Sequence, residues 1–241
     1  MSILKPRSFC PKCKNKIKWY LNIPLLSWII LKAKCNYCSS KISARYPIIE
    51  LTTGILFVIF SSAKPYFYDF NLINPFEKLF SWILLSILIT ISLIDFEHFW
   101  IPQGLINFGF LVGFINLLLT EFYKIDSFTN SIFLKGILGA LVAYLIFEFL
   151  RVFSKFVFKK DALGKGDSKL VAMLGLWLGP IGILLGIGMS YVVASIYLLI
   201  GFQIKKIKKG QLIPFAPFLS VGGLIVWYFG NEILIKAIYL Q

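Results

Sequence analysis

Long apolar segments separated by short polar stretches dominate residues 47–241. A helix needs roughly 17–25 predominantly apolar residues to cross the hydrocarbon core of a membrane. On this basis seven spans are predicted, at about residues 47–63, 79–95, 103–122, 131–153, 168–180, 182–203 and 212–229. Residues 79–94 do not alternate between apolar and polar side chains as a membrane β-strand does, so the spans are expected to be helices.

The composition of the whole chain, like its apolar segments, is that of a membrane protein. Hydrophobic residues make up 58% of the chain and charged residues 15%, and the mean hydropathy is +0.80. A soluble domain has roughly 45–50% apolar and about 25% charged residues. The predicted fold class is therefore an all-α polytopic membrane protein with about seven transmembrane helices.

Residues 1–46 are the only sizeable polar region, and we predict two domains: a small subdomain at 1–46 and a membrane domain at 47–241. The net charge of the chain is +14, and residues 1–46 contain Lys and Arg but no Asp or Glu. Nucleic-acid binding is one interpretation of such a basic region. In a chain with membrane spans, the usual enrichment of basic residues on the cytoplasmic side is a simpler explanation of this region. We therefore expect contact with lipid and no nucleic-acid partner.

The loops between the predicted spans give the orientation. Lysines cluster at 154–167 and 204–211, whereas the loops at 64–78 and 123–130 carry few basic residues together with acidic ones. The lysine-rich loops fall on the same side as residues 1–46 when seven spans are counted. The positive-inside rule therefore predicts that this side is cytoplasmic and that the C-terminus lies outside.

The four cysteines form two C-x-x-C pairs within the polar region, Cys10 with Cys13 and Cys35 with Cys38. This pattern is typical of a tetrathiolate zinc site. Disulfides are the alternative, but thiols stay reduced in the cytoplasm, which favours zinc. No fifth ligand lies nearby in the sequence, so a structural zinc site is predicted.

Two aspartates fall at the same predicted face of the membrane. Asp95 ends the second span, and Asp167 begins the fifth span after a Gly-Lys-Gly turn. Two neighbouring carboxylates share a proton, and such a pair can activate water and protonate a leaving amine, as in aspartic proteases. The alternative is two independent acids at helix ends, with Asp167 as a cap of its helix. The spacing leaves both interpretations open.

Other polar residues near the spans have simpler interpretations. Glu97 lies further into the loop than Asp95 and is the weaker candidate for a paired acid. The single histidine, His98, is interpreted as a polar anchor at the membrane–water interface. Glu148 lies within the fourth span, where Arg151 one turn later can pair with it. Glu50 begins the first span and complements the helix dipole.

These residues belong to motifs that occur in a fixed order. The motifs are the two cysteine pairs with their flanks, I-D-x-E-x-x-x-I-P at 94–102, G-K-G-D-S-K-L at 164–170, and P-F-A-P-F-L at 214–219 followed by Gly222-Gly223. Together they resemble the motifs of bacterial type IV prepilin leader peptidases, the GxGD membrane aspartic proteases of pilus and type II secretion systems. The resemblance covers nearly the whole chain.

The resemblance implies a bifunctional enzyme of the bacterial inner membrane. It would cleave the basic leader of prepilins and pseudopilins after a glycine at the cytoplasmic face, and then N-methylate the new N-terminus with S-adenosylmethionine. Asp95 and Asp167 would be the catalytic pair, and the cysteine region would belong to the cytoplasmic domain associated with methylation. The sequence contains no glycine-rich cofactor loop, so the methyl-donor site is unassigned, with Glu50 as a weak candidate.

The chain also departs from the family pattern. Gln103, Ala33 and Ala216 stand where the family usually has an acid, a glycine and a glycine. The family's usual first span is absent, so either the true start lies upstream of Met1 or this member lacks that helix. Both aspartates remain, so leader cleavage is expected. The alternatives are a leader peptidase without methylation, and a non-catalytic membrane scaffold or transporter with a zinc module.

Overall fold

The structure is a computed structural model of the 241-residue chain, and it describes residues 8–61, 76–123, 131–159, 164–208 and 211–239. Over these ranges the chain is helical, and its only β-pairings are two isolated antiparallel bridges, Phe9 with Lys16 and Lys34 with Lys41. The predicted all-α class is confirmed. The chain divides into two compact units, Met1–Ile59 and Phe60–Gln241.

Seven α-helices follow one another along the described part of the chain. After a single 3-10 turn at Trp19–Asn22 they are α1 (Leu26–Ile30), α2 (Arg45–Ser61), α3 (Glu77–His98), α4 (Gln103–Tyr123), α5 (Ile132–Phe158), α6 (Lys165–Gln203) and α7 (Ala216–Tyr239).

In the first unit, two similar turns carry the cysteine pairs. The Cys10 N–H donates to the Asn15 carbonyl at 3.0 Å, and the Cys35 N–H donates to the Ser40 carbonyl at 2.8 Å. Each turn closes through a residue with a left-handed backbone, Lys14 at φ 56° and Ser39 at φ 55°. The repeated geometry places the two sulfurs of each pair at the tip of a tight knuckle.

Within the described residues, four helices are long and apolar enough to cross a membrane: Glu77–His98, Gln103–Phe122, Ile132–Val157 and Lys165–Gln203. Large apolar side chains on their outer faces are exposed, such as Phe149 at 67%, as expected of a lipid-facing surface. The predicted spans at 79–95, 103–122 and 131–153 coincide with α3, α4 and α5. The count of seven spans is not confirmed, and part of the predicted first span, 62–63, lies outside the described residues.

The predicted fifth and sixth spans both lie within α6, which is broken at Gly179. This residue has φ 68° and ψ 179°, a backbone conformation that favours glycine, and Pro180 follows it. The break divides α6 into a first half, residues 165–178, and a second half, residues 180–203. The predicted turn at Gly179-Pro180 is therefore present.

The two halves of α6 fold back beside each other against α7. A Cβ atom on Gly223 would lie 2.9 Å from the Leu174 side chain, and one on the adjacent Gly222 would collide with Ser190. In a straight helix, Leu174 and Ser190 would be about 24 Å apart along the axis. Neighbouring residues of α7 can touch both only because the chain reverses at Gly179.

A buried pair of tryptophans joins four helices of the second unit. The Trp177 indole N–H donates to the Gly109 carbonyl at 3.1 Å, and the Trp227 indole N–H donates to Ser81 Oγ at 3.0 Å. The two rings meet edge to face at 5.5 Å between centroids. Each indole thus keeps a hydrogen bond while its ring fills the core between α3, α4, α6 and α7.

Candidate active site

Asp95 lies in the last turn of α3 and is only 6% exposed. The helix ends just beyond it, where Phe99 adopts a left-handed backbone and its N–H donates to the Asp95 carbonyl at 2.9 Å. The Asp95 side chain accepts a hydrogen bond at Oδ2 from the backbone N–H of Ala216, at 3.1 Å. Ala216 is the first residue of α7, so the carboxylate satisfies an N–H group that has no partner within its own helix.

Asp167 lies in the first turn of α6 and is 9% exposed. Its Oδ2 accepts a hydrogen bond from the backbone N–H of Gly164 at 3.1 Å, and its own N–H donates to the Gly164 carbonyl at 3.1 Å. Gly164 is therefore the N-cap residue, and Asp167 reaches back to it from the third helical position. The acid does cap its helix, but from inside the first turn and not as the N-cap itself.

The start of α6 packs against the connection between α3 and α4. A Cβ atom on Gly166 would lie 3.2 Å from Ile101, so the absence of a side chain there allows a close approach. Lys169 Nζ donates to Gln103 Oε1 at 2.6 Å and ties the two elements together. Through this packing the carboxylates of Asp95 and Asp167 come within electrostatic range of each other.

The structure thus brings the two predicted aspartates into one buried site. Two carboxylates near each other in a buried site cost more free energy to ionise together than to ionise singly. Each acid is also held by one backbone N–H at the start of a helix, Asp95 by α7 and Asp167 by α6. A pair of this kind is able to act as acid and base in the same reaction.

The other predicted polar residues have contacts of their own. Glu97 and His98 are exposed, and His98 Nε2 lies 3.6 Å from Glu97 Oε2. Arg151 binds Glu148 Oε2 through Nη2 at 2.6 Å and Nε at 3.0 Å, as the sequence predicts for this pair. Glu50 accepts the backbone N–H of Leu25 at 2.8 Å, where Leu25 has a left-handed φ of 62°.

Sequence reasoning missed the backbone partner of Asp95. The P-F-A-P-F-L motif at 214–219 was noted, but nothing in its letters indicates that the Ala216 N–H reaches an acid on α3. Pro214 and Pro217 on either side of Ala216 were the available signal, because they leave few N–H groups at this helix start and make each one significant.

The four cysteines of the first unit form a compact cluster. Their sulfur atoms all lie within 4.8 Å of one another, with Cys10 and Cys38 at 3.9 Å, and all four thiols are free. Four sulfurs around zinc, at bonds of about 2.3 Å, would be about 3.8 Å apart. The spacing therefore fits a tetrahedral metal site closely.

Backbone and hydroxyl groups favour the thiolate form of two of the four cysteines, Cys10 and Cys38. The N–H groups of Cys13 and Lys12 lower the pKa of the Cys10 thiol to about 6. The hydroxyl and the backbone N–H of Ser40 lower the pKa of Cys38, and its Sγ lies 3.2 Å from Ser40 Oγ. At Cys13 the backbone N–H of Asn15 lowers the pKa, but burial and the neighbouring thiols outweigh it and raise the pKa to about 11. Because a metal binds the thiolate form, the contacts at Cys10 and Cys38 favour a metal ion such as zinc, and Cys13 would lose its proton on binding.

Fold and site together define a class: a helical integral membrane protein with two neighbouring buried aspartates at helix ends and a separate four-cysteine unit. The model of the bacterial peptidase A24 N-terminal domain matches residues 1–63, and that of the type IV leader peptidase family matches residues 82–199. With the relatives described next, these matches show that the chain belongs to the type IV leader peptidase family. The resemblance predicted from the motifs is confirmed.

The curated relatives are similar over most of the chain. A prepilin leader peptidase/N-methyltransferase of Stutzerimonas stutzeri is 32% identical over 100% of this chain and 77% of its own length. A type 4 prepilin-like proteins leader peptide-processing enzyme of Escherichia coli O78:H11 is 35% identical over 95% of this chain and 77% of its own. A prepilin leader peptidase/N-methyltransferase of Myxococcus xanthus is 36% identical, and the match covers 83% of this chain and 56% of that relative's length. No solved structure matches the chain.

Proposed function

We propose that this protein is a membrane aspartic endopeptidase that removes the basic leader of type IV prepilins and pseudopilins. The observation that carries the proposal is the placement of two buried carboxylates, Asp95 and Asp167, in one site. The names of its relatives supply the substrate class, prepilins and prepilin-like proteins. Cleavage takes place after a glycine, at the cytoplasmic face of the bacterial inner membrane.

In this proposal the two aspartates divide the acid and base roles. The ionised carboxylate takes a proton from a water molecule as the oxygen of that water attacks the scissile carbonyl carbon. The protonated partner gives its proton to the carbonyl oxygen. The aspartate that took the proton from water then gives it to the nitrogen of the leaving amine as the C–N bond breaks, and its partner takes back a proton from the tetrahedral intermediate as the acid product forms. The Ala216 and Gly164 N–H groups fix one oxygen of each carboxylate, which keeps the pair oriented.

The protein also N-methylates the new N-terminus in this proposal, as the names of its relatives imply for them. S-adenosylmethionine supplies the methyl group, and the free amine is the nucleophile. The Glu50 carboxylate is engaged by the Leu25 backbone and holds a strained turn. This contact gives Glu50 a structural role and adds no support for it as a ligand of the methyl donor.

The four cysteines would hold a structural zinc ion. Cys10, Cys13, Cys35 and Cys38 are close enough to act as its four ligands, and the ion would link the two knuckles of the first unit. Residues 1–46 form a cytoplasmic zinc subdomain and residues 47–241 the membrane peptidase domain in this proposal. The cytoplasmic side is supported by the lysine-rich loops at 154–167 and 204–211.

The proposed function is tested by mass analysis of a prepilin incubated with the purified protein and S-adenosylmethionine. The expected product lacks its leader up to the glycine and carries one added methyl group at the new N-terminus. A product that is cut but never methylated would favour the alternative of a leader peptidase without methyltransferase activity. An intact prepilin would favour the scaffold or transporter alternative.

A further inference from the structure

Tyr191 lies on the second half of α6, which the break at Gly179 turns back along the first half. Its neighbour Ser190 packs against Gly222 of α7, and the adjacent Gly223 packs against Leu174 of the first half. The reversal therefore returns Tyr191 to the region where α6 begins. The Tyr191 phenol and the Asp167 carboxylate lie within electrostatic range of each other.

The ring of Tyr191 is held by the segment that also holds Asp95. Its centroid lies 5.4 Å from that of Phe215, which in turn stacks on Phe147 of α5 at 6.4 Å. Phe215 directly precedes Ala216, whose N–H donates to Asp95. Tyr191 is thus connected to Asp95 through the Phe215-Ala216 segment.

Tyr191 differs from its surroundings in being open on one side. Its side chain is 42% exposed, whereas Ser190 is fully buried and both aspartates are almost so. The exposed side of Tyr191 lies next to the Phe215-Ala216 segment that holds Asp95. A phenol placed in an apolar segment carries a hydroxyl that needs a hydrogen-bonding partner.

We propose that Tyr191 is a further catalytic residue whose hydroxyl donates a hydrogen bond to the carbonyl oxygen of the scissile peptide. This inference rests on the proposed endopeptidase function. As water adds to the carbonyl carbon, negative charge develops on that oxygen until the protonated aspartate transfers its proton there, and the phenol stabilises this charge without giving up its own proton. The aspartates activate the water molecule and carry out the proton transfers. The hydrogen bond from the phenol strengthens in the transition state.

The test is the Tyr191→Phe variant, with a synthetic peptide spanning the prepilin leader and the start of the mature chain as the substrate. Phenylalanine keeps the ring contact with Phe215 and removes only the hydroxyl. We expect kcat to fall by about 100-fold, with KM changed by less than about twofold. The proposal is overturned if kcat stays within about twofold of the wild-type value, or if only KM rises.

Tyr197→Phe is the matched control. Tyr197 lies on the same half of α6, is 39% exposed and contacts Phe218 at 5.3 Å between ring centroids. We expect this variant to keep the wild-type kcat. An equal fall in both variants would indicate a general need for tyrosine hydroxyls on this helix and would contradict the specific role of Tyr191.

An inhibitor gives a second readout that does not depend on how much of the variant is folded. A leader peptide with a hydroxyl-bearing tetrahedral carbon in place of the scissile carbonyl should bind Tyr191→Phe at least about 10-fold more weakly than it binds the wild type. The corresponding uncleaved peptide should bind both proteins equally. Equal binding of the inhibitor to both proteins would refute the proposal.

Asp95→Asn separates this inference from the proposed function. If Asp95→Asn cleaves the peptide at the wild-type rate, the endopeptidase assignment itself fails. If Asp95→Asn is inactive and Tyr191→Phe is fully active, the dyad stands and only the role of Tyr191 is wrong.

Discussion

Each carboxylate of the candidate site is held by one backbone N–H at the start of a helix. Ala216 donates to Asp95 from α7, and Gly164 donates to Asp167 at α6. The N–H groups at helix starts have no partners within their helix and prefer an acid nearby. The two aspartates thus complete the starts of two helices, and the same contacts fix one oxygen of each carboxylate.

Gln103 provides a residue-scale test of how the two elements of the site are joined. Replacing it with glutamate, the type of residue that the family usually has there, turns its contact with Lys169 into an ion pair. Both side chains are exposed, so we expect a gain in the free energy of unfolding of about 0.5 kcal/mol, with little change in leader cleavage. Thermal unfolding in detergent at low and high salt measures this effect.

The control for this change is Lys169→Met combined with Gln103→Glu. Without its cationic partner the new carboxylate should give no gain in stability. A gain that persists in the double variant, or that is unaffected by salt, would contradict the ion-pair explanation.

At the scale of elements, glycines determine how closely α5 and α6 approach. A Cβ atom on Gly139 would collide with the Gly175 backbone and would lie 2.7 Å from Gly179 Cα. We therefore expect Gly139→Ala to destabilise the second unit by about 1–3 kcal/mol, because a rigid backbone cannot move aside. Because the displaced segment is the first half of α6, which carries Asp167 in its first turn, cleavage should fall as well.

Gly188→Ala is the matched control for that change. A Cβ atom on Gly188 would meet no atom within 4 Å, and the residue lies in the second half of α6. This variant should be neutral, or stabilising by about 0.5–1 kcal/mol through helix propensity. Chemical unfolding of both variants compares them directly, and equal losses of stability would rule out the close-packing argument.

Apolar segment length predicted the helices well where one segment makes one helix. Residues 79–95, 103–122 and 131–153 lie within α3, α4 and α5, and the Gly179-Pro180 turn is present. The count of seven spans stays a prediction, because α2 has only 17 described residues and α6 is a single broken element of 39 residues. Length and hydropathy do not tell a broken helix from two spans.

The sequence predicts the two acids of the candidate site but not the groups that contact them. Asp95 and Asp167 stand out because an acid at the end of an apolar segment is costly and needs a reason. The Ala216 N–H reaches Asp95, and the Tyr191 ring reaches Phe215, through the packing of α7 against α3 and α6. Such contacts join residues far apart in the chain, and hydrophobic patterns carry no information about them.

At the scale of the whole molecule, two compact units carry the two clusters of candidate chemistry. The cysteines lie in Met1–Ile59 and both aspartates in Phe60–Gln241. We expect purified protein to contain about one zinc ion, and Cys13→Ser to lose it together with the stability of the first unit. Metal analysis and limited proteolysis of the variant measure both effects.

The same variant tests whether the two units act separately. We expect Cys13→Ser to retain leader cleavage better than methylation, because the aspartates lie in the other unit. Ser8→Ala, a change beside the cluster that removes no ligand, is the control and should keep the zinc. Wild-type protein that is metal-free with four reactive thiols would contradict the zinc site.

The central claim is that Asp95 and Asp167 act as one catalytic pair, and the most direct measurement is prepilin cleavage by Asp95→Asn and Asp167→Asn. Each change keeps the side-chain volume and removes the charge. We predict that each variant loses at least about 100-fold in cleavage rate and that the double variant loses little more, while Glu97→Gln cleaves normally. Normal cleavage by either single aspartate variant would contradict the account.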